Sequence, residues 1–141
     1  MKQHVDHIVH TFETLSPAGV QALQSVYAAD ARFIDPFNDV RGLSAIEQIF
    51  RHMYASLEQP RFRITERIVQ GPHCFLSWEF RFAFKRFQQG QEHCILGGSQ
   101  LFLDGAGQVL LHRDYWDAAE LYDKLPLFGG VTRWLRRQAR K

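Results

Sequence analysis

The amino-acid sequence predicts an α+β fold in which helices cover one face of a mostly antiparallel sheet. Apolar residues recur at helical spacing in the first 57 positions, and they alternate with polar residues from residue 76 onward. Helices followed by consecutive strands are typical of this fold class. The 141 residues, 45% of them apolar, suffice for a core without metal or disulfide support. We therefore expect one domain over residues 1–141.

Three helices and one short strand are predicted in the first part of the chain. Residues 4–15 have an apolar face that repeats every three or four positions. A second helix is expected over 17–28, because a serine in the N-cap position is followed by a proline at the first helical position. Alternation over 32–35, ahead of Pro36, predicts a short strand. A third amphipathic helix is expected to begin at Ser44 and to end before Pro60.

The second part of the chain predicts a meander of three strands. Residues 76–84 read Leu-Ser-Trp-Glu-Phe-Arg-Phe-Ala-Phe, an alternation that places the leucine and the four aromatic residues on one face. Glycine-containing segments at 88–91 and 104–107 are typical hairpin loops. They delimit two further strands, predicted over 93–103 and 109–116.

Closing both loops as tight hairpins predicts a register for the meander. It sets Ser99 opposite His112, Gly97 opposite Asp114, and Phe80 opposite Ser99. Directly opposed residues share a face of the sheet. One face then combines aromatic and polar groups, as small-molecule pockets do. Its predicted members are Trp78, Phe80, Phe82, Ser99, His112, Asp114 and Trp116.

Three residues are candidates for acid–base catalysis. His112 and Asp114 lie two apart on one strand, and a carboxylate can orient an imidazole that titrates near neutral pH. The alternative is a buried polar network that ties sheet to helices. Asp35 is a candidate general base, and its alternative is to cap a local turn or pair with Arg41. Candidate ligand contacts are Ser99, Trp78, Phe80, Phe82, Trp116 and, on the third helix, Tyr54.

The sequence predicts neither a cofactor nor a metal. It contains no P-loop, dinucleotide fingerprint, CxxC pair or GxSxG motif. His112, Asp114 and Asp35 would make a metal-ligand set only with a second convergent histidine, which the pattern does not supply. The predicted register puts Cys74 and Cys94 on the order of 30 Å apart along adjacent strands. We therefore expect both thiols to be reduced.

The distribution of charge and of apolar residues indicates which partners and which cellular location to expect. Five of the seventeen basic residues lie in 133–141, and the twelve that remain against fifteen acidic residues leave the body at −3. A nucleic-acid partner is therefore not expected. The tail is interpreted as solvated and docked through Trp134 and Leu135, the alternative being contact with an anionic membrane or an acidic partner. The N-terminus lacks the apolar stretch of a signal peptide, so a cytoplasmic location is expected.

Several segments together resemble the NTF2-like superfamily, in its branch of SnoaL-like proteins and ketosteroid isomerases. Residues 27–36 read Tyr-Ala-Ala-Asp-Ala-Arg-Phe-Ile-Asp-Pro, and Val-Arg-Gly at 40–42 leads into the third helix. The late strand reads His-Arg-Asp-Tyr-Trp-Asp over 112–117, and 121–129 resembles SnoaL-like sequences closely. The resemblance implies a cystatin-like cone, in which a curved, mixed sheet wraps around the N-terminal helices. It also implies a hydrophobic pocket at the open end.

The resemblance also implies a homodimer formed through the outer face of the sheet. Strand parity assigns to that face Glu79, Arg81, Gln100, Phe102, Arg113 and Tyr115.

Within this resemblance, Asp35 aligns with the general base of ketosteroid isomerases. The tyrosine and aspartic acid that serve those enzymes as oxyanion donors align near Thr11 and on Ser99. Because both donors are replaced, a true ketosteroid isomerase is not expected.

Two functional hypotheses follow. The first is a protein that binds a small hydrophobic molecule and acts as a cofactor-independent isomerase, cyclase or dehydratase (an isomerase or lyase) by proton transfer in the cone. The second is a non-catalytic binding or dimerisation module with the same fold.

Overall fold

The computed structural model describes residues 2–86 and 89–124. Its helices are α1 (Lys2–Thr14), a 3₁₀ helix (Pro17–Ser25), α2 (Leu43–Ser56) and α3 (Ala118–Lys124). Its strands are β1 (Tyr27–Ile34), β2 (Asp39–Arg41), β3 (Leu57–Gln70), β4 (His73–Phe84), β5 (His93–Leu103) and β6 (Val109–Trp116). The basic tail at 133–141, and Phe87 and Gln88 of the predicted β4–β5 loop, lie outside the described residues.

All six strands form one sheet in the order β2-β1-β6-β5-β4-β3. The β1–β6 pair is parallel and the other four pairs are antiparallel. Helices α1 and α2 pack against this curved, unclosed sheet. The predicted α+β class with a mixed, mostly antiparallel sheet is confirmed.

The core lies between the helices and the inner face of the sheet. From α1 it takes Ile8 and Phe12, and from α2 it takes Ile46, Phe50 and Tyr54. Each large apolar side chain buried in this way contributes roughly 1.5–3 kcal/mol. Both cysteines are free, as predicted. Within the described residues, no helix has the length and apolar character needed to cross a membrane.

The second predicted helix is wrong in type and in length. A 3₁₀ helix ends at Ser25, and residues 27 and 28 belong to β1. Gly19 has non-helical dihedral angles, which interrupts the segment. Tyr27 is 1% exposed, so burial of this ring in the sheet decides its conformation over local helix propensity.

The sequence pattern misses β3, a strand of 14 residues at the edge of the sheet. Its exposed positions carry mostly polar or charged residues but also Ile68 and Val69, and two register irregularities break its alternation. Pro60 within it also argues against a central strand, and an edge position tolerates proline. The exposed apolar residues and the irregularities interrupt the alternation that burial of one face would produce, so the period-two signal is weak here.

The register of the meander differs from the predicted one, although the inner face is preserved. Ser99 pairs with Asp114 on β6 and with Leu76 on β4. The β5–β6 pairing is displaced by two residues, because the turn places Leu103 opposite Val109 and an irregularity follows it. The β4–β5 pairing is displaced by four residues from the predicted one, because Leu76 and not Phe80 lies opposite Ser99. Even displacements leave each side chain on its predicted face.

Candidate functional site

A chain of polar groups is buried between β1, β5 and β6. The Tyr27 hydroxyl lies 2.6 Å from Nδ1 of His112. Nε2 of the same ring lies 2.5 Å from Oδ1 of Asp114 and 3.2 Å from the Ser99 hydroxyl. The parallel β1–β6 pairing brings Tyr27 to His112 across 85 residues of sequence.

A second branch of this network runs through Ser99. The indole Nε1–H of Trp78 donates to the Ser99 hydroxyl oxygen at 2.9 Å. The Ser99 hydroxyl donates in turn to Oδ1 of Asp114 at 2.5 Å. One carboxylate oxygen therefore receives hydrogen bonds from both Ser99 and His112.

The types of donor and acceptor determine where the protons lie. An indole only donates and an ionised carboxylate only accepts, so the Ser99 hydrogen points to Asp114. The Nε2 atom of His112 carries a hydrogen because its nearest partner is the same carboxylate oxygen. In a neutral ring Nδ1 is then the acceptor, and the Tyr27 hydroxyl donates to it.

Tyr27 remains a neutral phenol in this position. Burial holds its pKa well above the ordinary 10.0, and the negative charge of Asp114 raises the pKa further. The rings of Phe12 and Phe33 flank His112, with centroids 5.7 and 4.6 Å from that of the imidazole. The network is thus enclosed by apolar groups on the helix side.

Asp114 lies where an internal cavity meets an open groove. The cavity has a volume of about 20 Å³ and is lined by Ser99, His112 and Asp114 together with aromatic residues. That is room for about one water molecule. The groove, of about 600 Å³, runs along the ends of β1 and β6 past Asp35, Asp114 and Trp116. The Asp114 side chain is 14% exposed and that of His112 4%.

Asp35 performs the local role that the sequence left open as its alternative. Its Oδ1 accepts hydrogen bonds from the backbone of Phe37 and Asn38, at 2.8 and 2.7 Å, and from the Asn38 side chain at 3.1 Å. Burial raises the pKa of Asp35, and the charge of Asp114 adds to this while the hydrogen bonds oppose it. Arg41 donates instead to the backbone oxygen of Asp30. Asp35 therefore closes the turn after β1 and also lines the groove.

The aromatic residues predicted to contact a ligand lie in different parts of the structure. The ring of Trp78 lies across Gly97, where a Cβ atom would come within 2.4 Å of it. Phe80 and Phe82 pack in a separate apolar cluster, and Trp116 contacts Phe37 at the groove.

Tyr54 lies in the main core among the helices. Burial raises the pKa of Tyr54 to about 12. It lines neither the cavity nor the groove.

Tyr27 is the member of the network that sequence reasoning missed. It lies in a segment expected to end a helix, and its partner is on the last strand. A buried tyrosine generally needs a hydrogen-bond partner, but the partner cannot be named without the β1–β6 pairing. Among the described residues, no group of three or more His, Cys, Asp and Glu side chains is arranged to hold a metal ion.

The family model of the SnoaL-like domain matches residues 8–99, about two thirds of the chain. The chain belongs to the SnoaL-like domain family. The predicted family is thereby confirmed. The match ends at Ser99, so His112 and Asp114 lie beyond the matched part of this SnoaL-like protein. No curated protein matches the chain.

Solved structures with low sequence identity share the fold of this SnoaL-like domain. A protein from Jannaschia sp. CCS1 assigned to the SnoaL-like polyketide cyclases is 16% identical, with a TM-score of 0.75 over 89% of this chain and 94% of that one. A protein with a ketosteroid isomerase-like fold from Catenulispora acidiphila DSM 44928, in complex with trimethylamine, is 18% identical, with a TM-score of 0.74 over 88% of this chain and 94% of that one. An LEH-like epoxide hydrolase from M. tuberculosis is 13% identical (TM-score 0.67, 86% and 85%).

Proposed function

We propose that this protein binds a small, largely apolar molecule in the groove and that Asp114 acts on it as a general base, without a cofactor. The arrangement around Asp114 carries the proposal. His112 and Ser99 hold its Oδ1, whereas its Oδ2 makes no hydrogen bond to any residue within 2–86 or 89–124. One oxygen is anchored and the other is available at the junction of cavity and groove.

The reaction class that fits is proton transfer at carbon next to a carbonyl group. Oδ2 of Asp114 takes a proton from that carbon, an enolate forms, and return of the proton to another carbon completes an isomerisation. In a cyclisation the enolate carbon instead forms a bond to a second carbonyl carbon of the same molecule, whose oxygen takes the proton from Asp114. In a dehydration the enolate expels a β-hydroxyl group, which takes that proton and leaves as water. His112 and Ser99 position the carboxylate, since their donor hydrogens are already directed to Oδ1. A positioned general base of this kind contributes about 10²- to 10⁴-fold to a rate.

Asp114 is preferred to Asp35 because the two carboxylates differ in available lone pairs. Oδ1 of Asp35 accepts three hydrogen bonds, and its Oδ2 accepts a fourth from Asn38 at 3.2 Å. These bonds stabilise a turn. The polyketide cyclase and epoxide hydrolase assignments of proteins with this fold support a small organic substrate.

The structure also contains an observation that favours the non-catalytic alternative. Both ring nitrogens of His112 are hydrogen-bonded within the protein, and the cavity beside it accommodates about one water molecule. In that alternative the network holds β1, β5 and β6 together, and the groove binds without reacting.

Exchange of carbon-bound hydrogen separates the two functions. The α-protons of 2-tetralone, an apolar ketone, are followed by NMR in D₂O with and without protein. We expect the wild-type chain to accelerate exchange, Asp114→Asn to lower the protein-dependent rate by at least about 100-fold, and Asp35→Asn to change it by less than about threefold. Asp30→Asn, at an exposed position, is the matched control. Exchange no faster than in buffer would leave the non-catalytic module, whereas full activity in Asp114→Asn would rule out Asp114 as the base.

The outer face of the sheet is proposed as the surface of a homodimer. Phe75, Leu96, Phe102 and Tyr115 are large apolar side chains exposed there. The same face also carries the charged residues Arg113 and Glu79, of which Glu79 is paired with Arg81 at 3.3 Å within the chain. Sedimentation of the wild-type chain is expected to give a dimer, and Leu96→Arg a monomer; a monomeric wild-type chain contradicts this assembly.

A further inference from the structure

Three aromatic rings meet at the end of the groove where β6 leads into α3. Trp116 lines the groove. The ring of Phe37 is nearly perpendicular to that of Trp116, at 72°, and the two centroids are 5.4 Å apart. The ring of Tyr122 is in turn perpendicular to that of Phe37, at 86° and 6.5 Å. All three side chains are only partly buried, so this aromatic corner leaves ring surface accessible beside the groove.

Backbone hydrogen bonds hold the groups around the aromatic corner in place. The N–H of Phe37 donates to Oδ1 of Asp35 at 2.8 Å, so one turn positions both a ring and a carboxylate. Asp117 precedes α3, and its Oδ1 accepts the N–H of Ala119 at 2.9 Å. A site whose groups are already positioned loses less entropy when a ligand binds.

The groove carries an excess of negative charge. Among the described residues, its charged lining consists of Asp35, Asp114 and Asp117 against Arg113. The charge of Arg113 also acts on Asp39 of β2, whose pKa it lowers. The charge of Asp114 raises the pKa of Asp35, so these two carboxylates are close enough to repel each other. A positively charged ligand would relieve that repulsion.

The carboxylates of the groove supply charge but few free oxygen atoms. Both oxygens of Asp35 accept hydrogen bonds within its turn, and Oδ1 of Asp117 is bonded to the first turn of α3. Calcium and magnesium ions require about six oxygen ligands. An alkylated ammonium group requires none, because it binds to the face of an aromatic ring. The groove therefore favours an organic cation over a metal ion.

We propose that the molecule bound in the groove carries an alkylated ammonium group, which lies against Trp116 in the aromatic corner. This inference rests on the small-molecule site proposed above. Trp116 lies two residues from Asp114 on the same face of β6, roughly 7 Å along the strand. The nitrogen is then a few bonds from the carbon that Asp114 deprotonates. Its positive charge stabilises the enolate at a site where both oxyanion donors of ketosteroid isomerases are replaced.

Binding of two probes of the same shape tests the cation site. Calorimetric titration at low salt compares choline with 3,3-dimethylbutan-1-ol, in which a neutral carbon replaces the charged nitrogen. We expect the wild-type chain to bind choline about tenfold more tightly. Trp116→Leu should lower this ratio to about threefold or less, because both probes lose contact area but only choline loses its cation–π interaction.

Two substitutions of aspartate test the role of charge. Asp117→Asn is expected to lower the ratio by at least about twofold, while its side-chain oxygen can still accept the N–H of Ala119. Asp123→Asn removes the same charge from an exposed position of α3 and should keep the wild-type ratio. Asp117→Asn decides the test if Trp116→Leu does not fold.

Three results would overturn the cation site: equal binding of the two probes by the wild-type chain, binding of neither probe, or a ratio that neither Trp116→Leu nor Asp117→Asn lowers. Exchange of 2-tetralone, which carries no charge, separates these results from failure of the proposed chemistry. Exchange with equal binding of the probes would retain Asp114 as the base and exclude the cation site. Preference for choline without exchange would retain the cation site and remove the catalytic role of Asp114.

Discussion

Ser99 and Asp114 lie opposite each other on β5 and β6, and the serine hydroxyl donates to the carboxylate at 2.5 Å. His112, two residues earlier on β6, reaches the same oxygen. The convergence of two donors on Oδ1 orients Asp114 and leaves Oδ2 without a hydrogen bond to any described residue. This arrangement depends on a network whose members can be removed one at a time.

Tyr27→Phe is expected to destabilise the fold by about 1–3 kcal/mol, because it leaves Nδ1 of buried His112 without a donor. Urea unfolding monitored by circular dichroism measures the change. Tyr115→Phe is the matched control, since that hydroxyl bonds to Gln100 on the exposed face, and we expect a change within about 0.5 kcal/mol. Equal effects of the two substitutions would show that the hydroxyl of Tyr27 has no special role.

Gly97→Ala is expected to cost about 1–3 kcal/mol. The added Cβ would lie 2.4 Å from the ring of Trp78, so the indole must shift and its hydrogen bond to Ser99 is lost. Gly105→Ala is the control, because no atom lies within 4 Å of a Cβ atom there. Thermal unfolding of both variants tests this packing, and a neutral Gly97→Ala would contradict the contact.

Asp35→Asn is expected to stabilise the protein near neutral pH. Burial raises the pKa of Asp35 in the folded state, so ionisation above that pKa costs stability, whereas asparagine stays neutral and can still accept hydrogen bonds in the turn. The gain over wild type should shrink as pH falls through the raised pKa toward the ordinary 3.8. Unfolding free energies of both proteins between pH 4 and pH 7 measure this gain. A gain that grows toward acid pH would contradict a raised pKa of Asp35.

The stability of His93→Phe relative to wild type should increase as pH falls, whereas the gain of Asp35→Asn should decrease. The pKa of His93 is lowered from 6.5 by burial and by Lys124, so the folded state binds its proton less readily than the unfolded state. Stability is then lost as pH falls below about 6.5. The advantage of His93→Phe should therefore increase in acid, in the same unfolding series. His52→Phe makes the same change at an exposed position of α2 and should show no such trend.

The succession of helices and then strands and the inner face of β4 to β6 were predictable, whereas β2, β3 and the strand register were not. Alternation over 76–84 and the bounds of β5 and β6 come from local patterns that burial on one side imposes on a strand. The register depended on loop geometry: the turn and the irregularity beside Leu103 together displaced the β5–β6 pairing by two residues, and the β4–β5 pairing was displaced by four. Ser99, His112 and Asp114 therefore stayed on one face, although their pairing differed.

By itself, the sequence determined the α+β class and the face that carries Ser99, His112 and Asp114, because hydrophobic periodicity is a local property of the chain. The family followed from the resemblance of its motifs, such as residues 27–36. Only the tertiary structure decided that Tyr27 bonds to His112, that Asp35 closes a turn and that Nε2 of His93 is buried without a hydrogen-bond partner among the described residues. These facts depend on the parallel β1–β6 pairing, on the turn after β1 and on the packing of α3. Such contacts join residues far apart in sequence, or depend on geometry that no local pattern encodes.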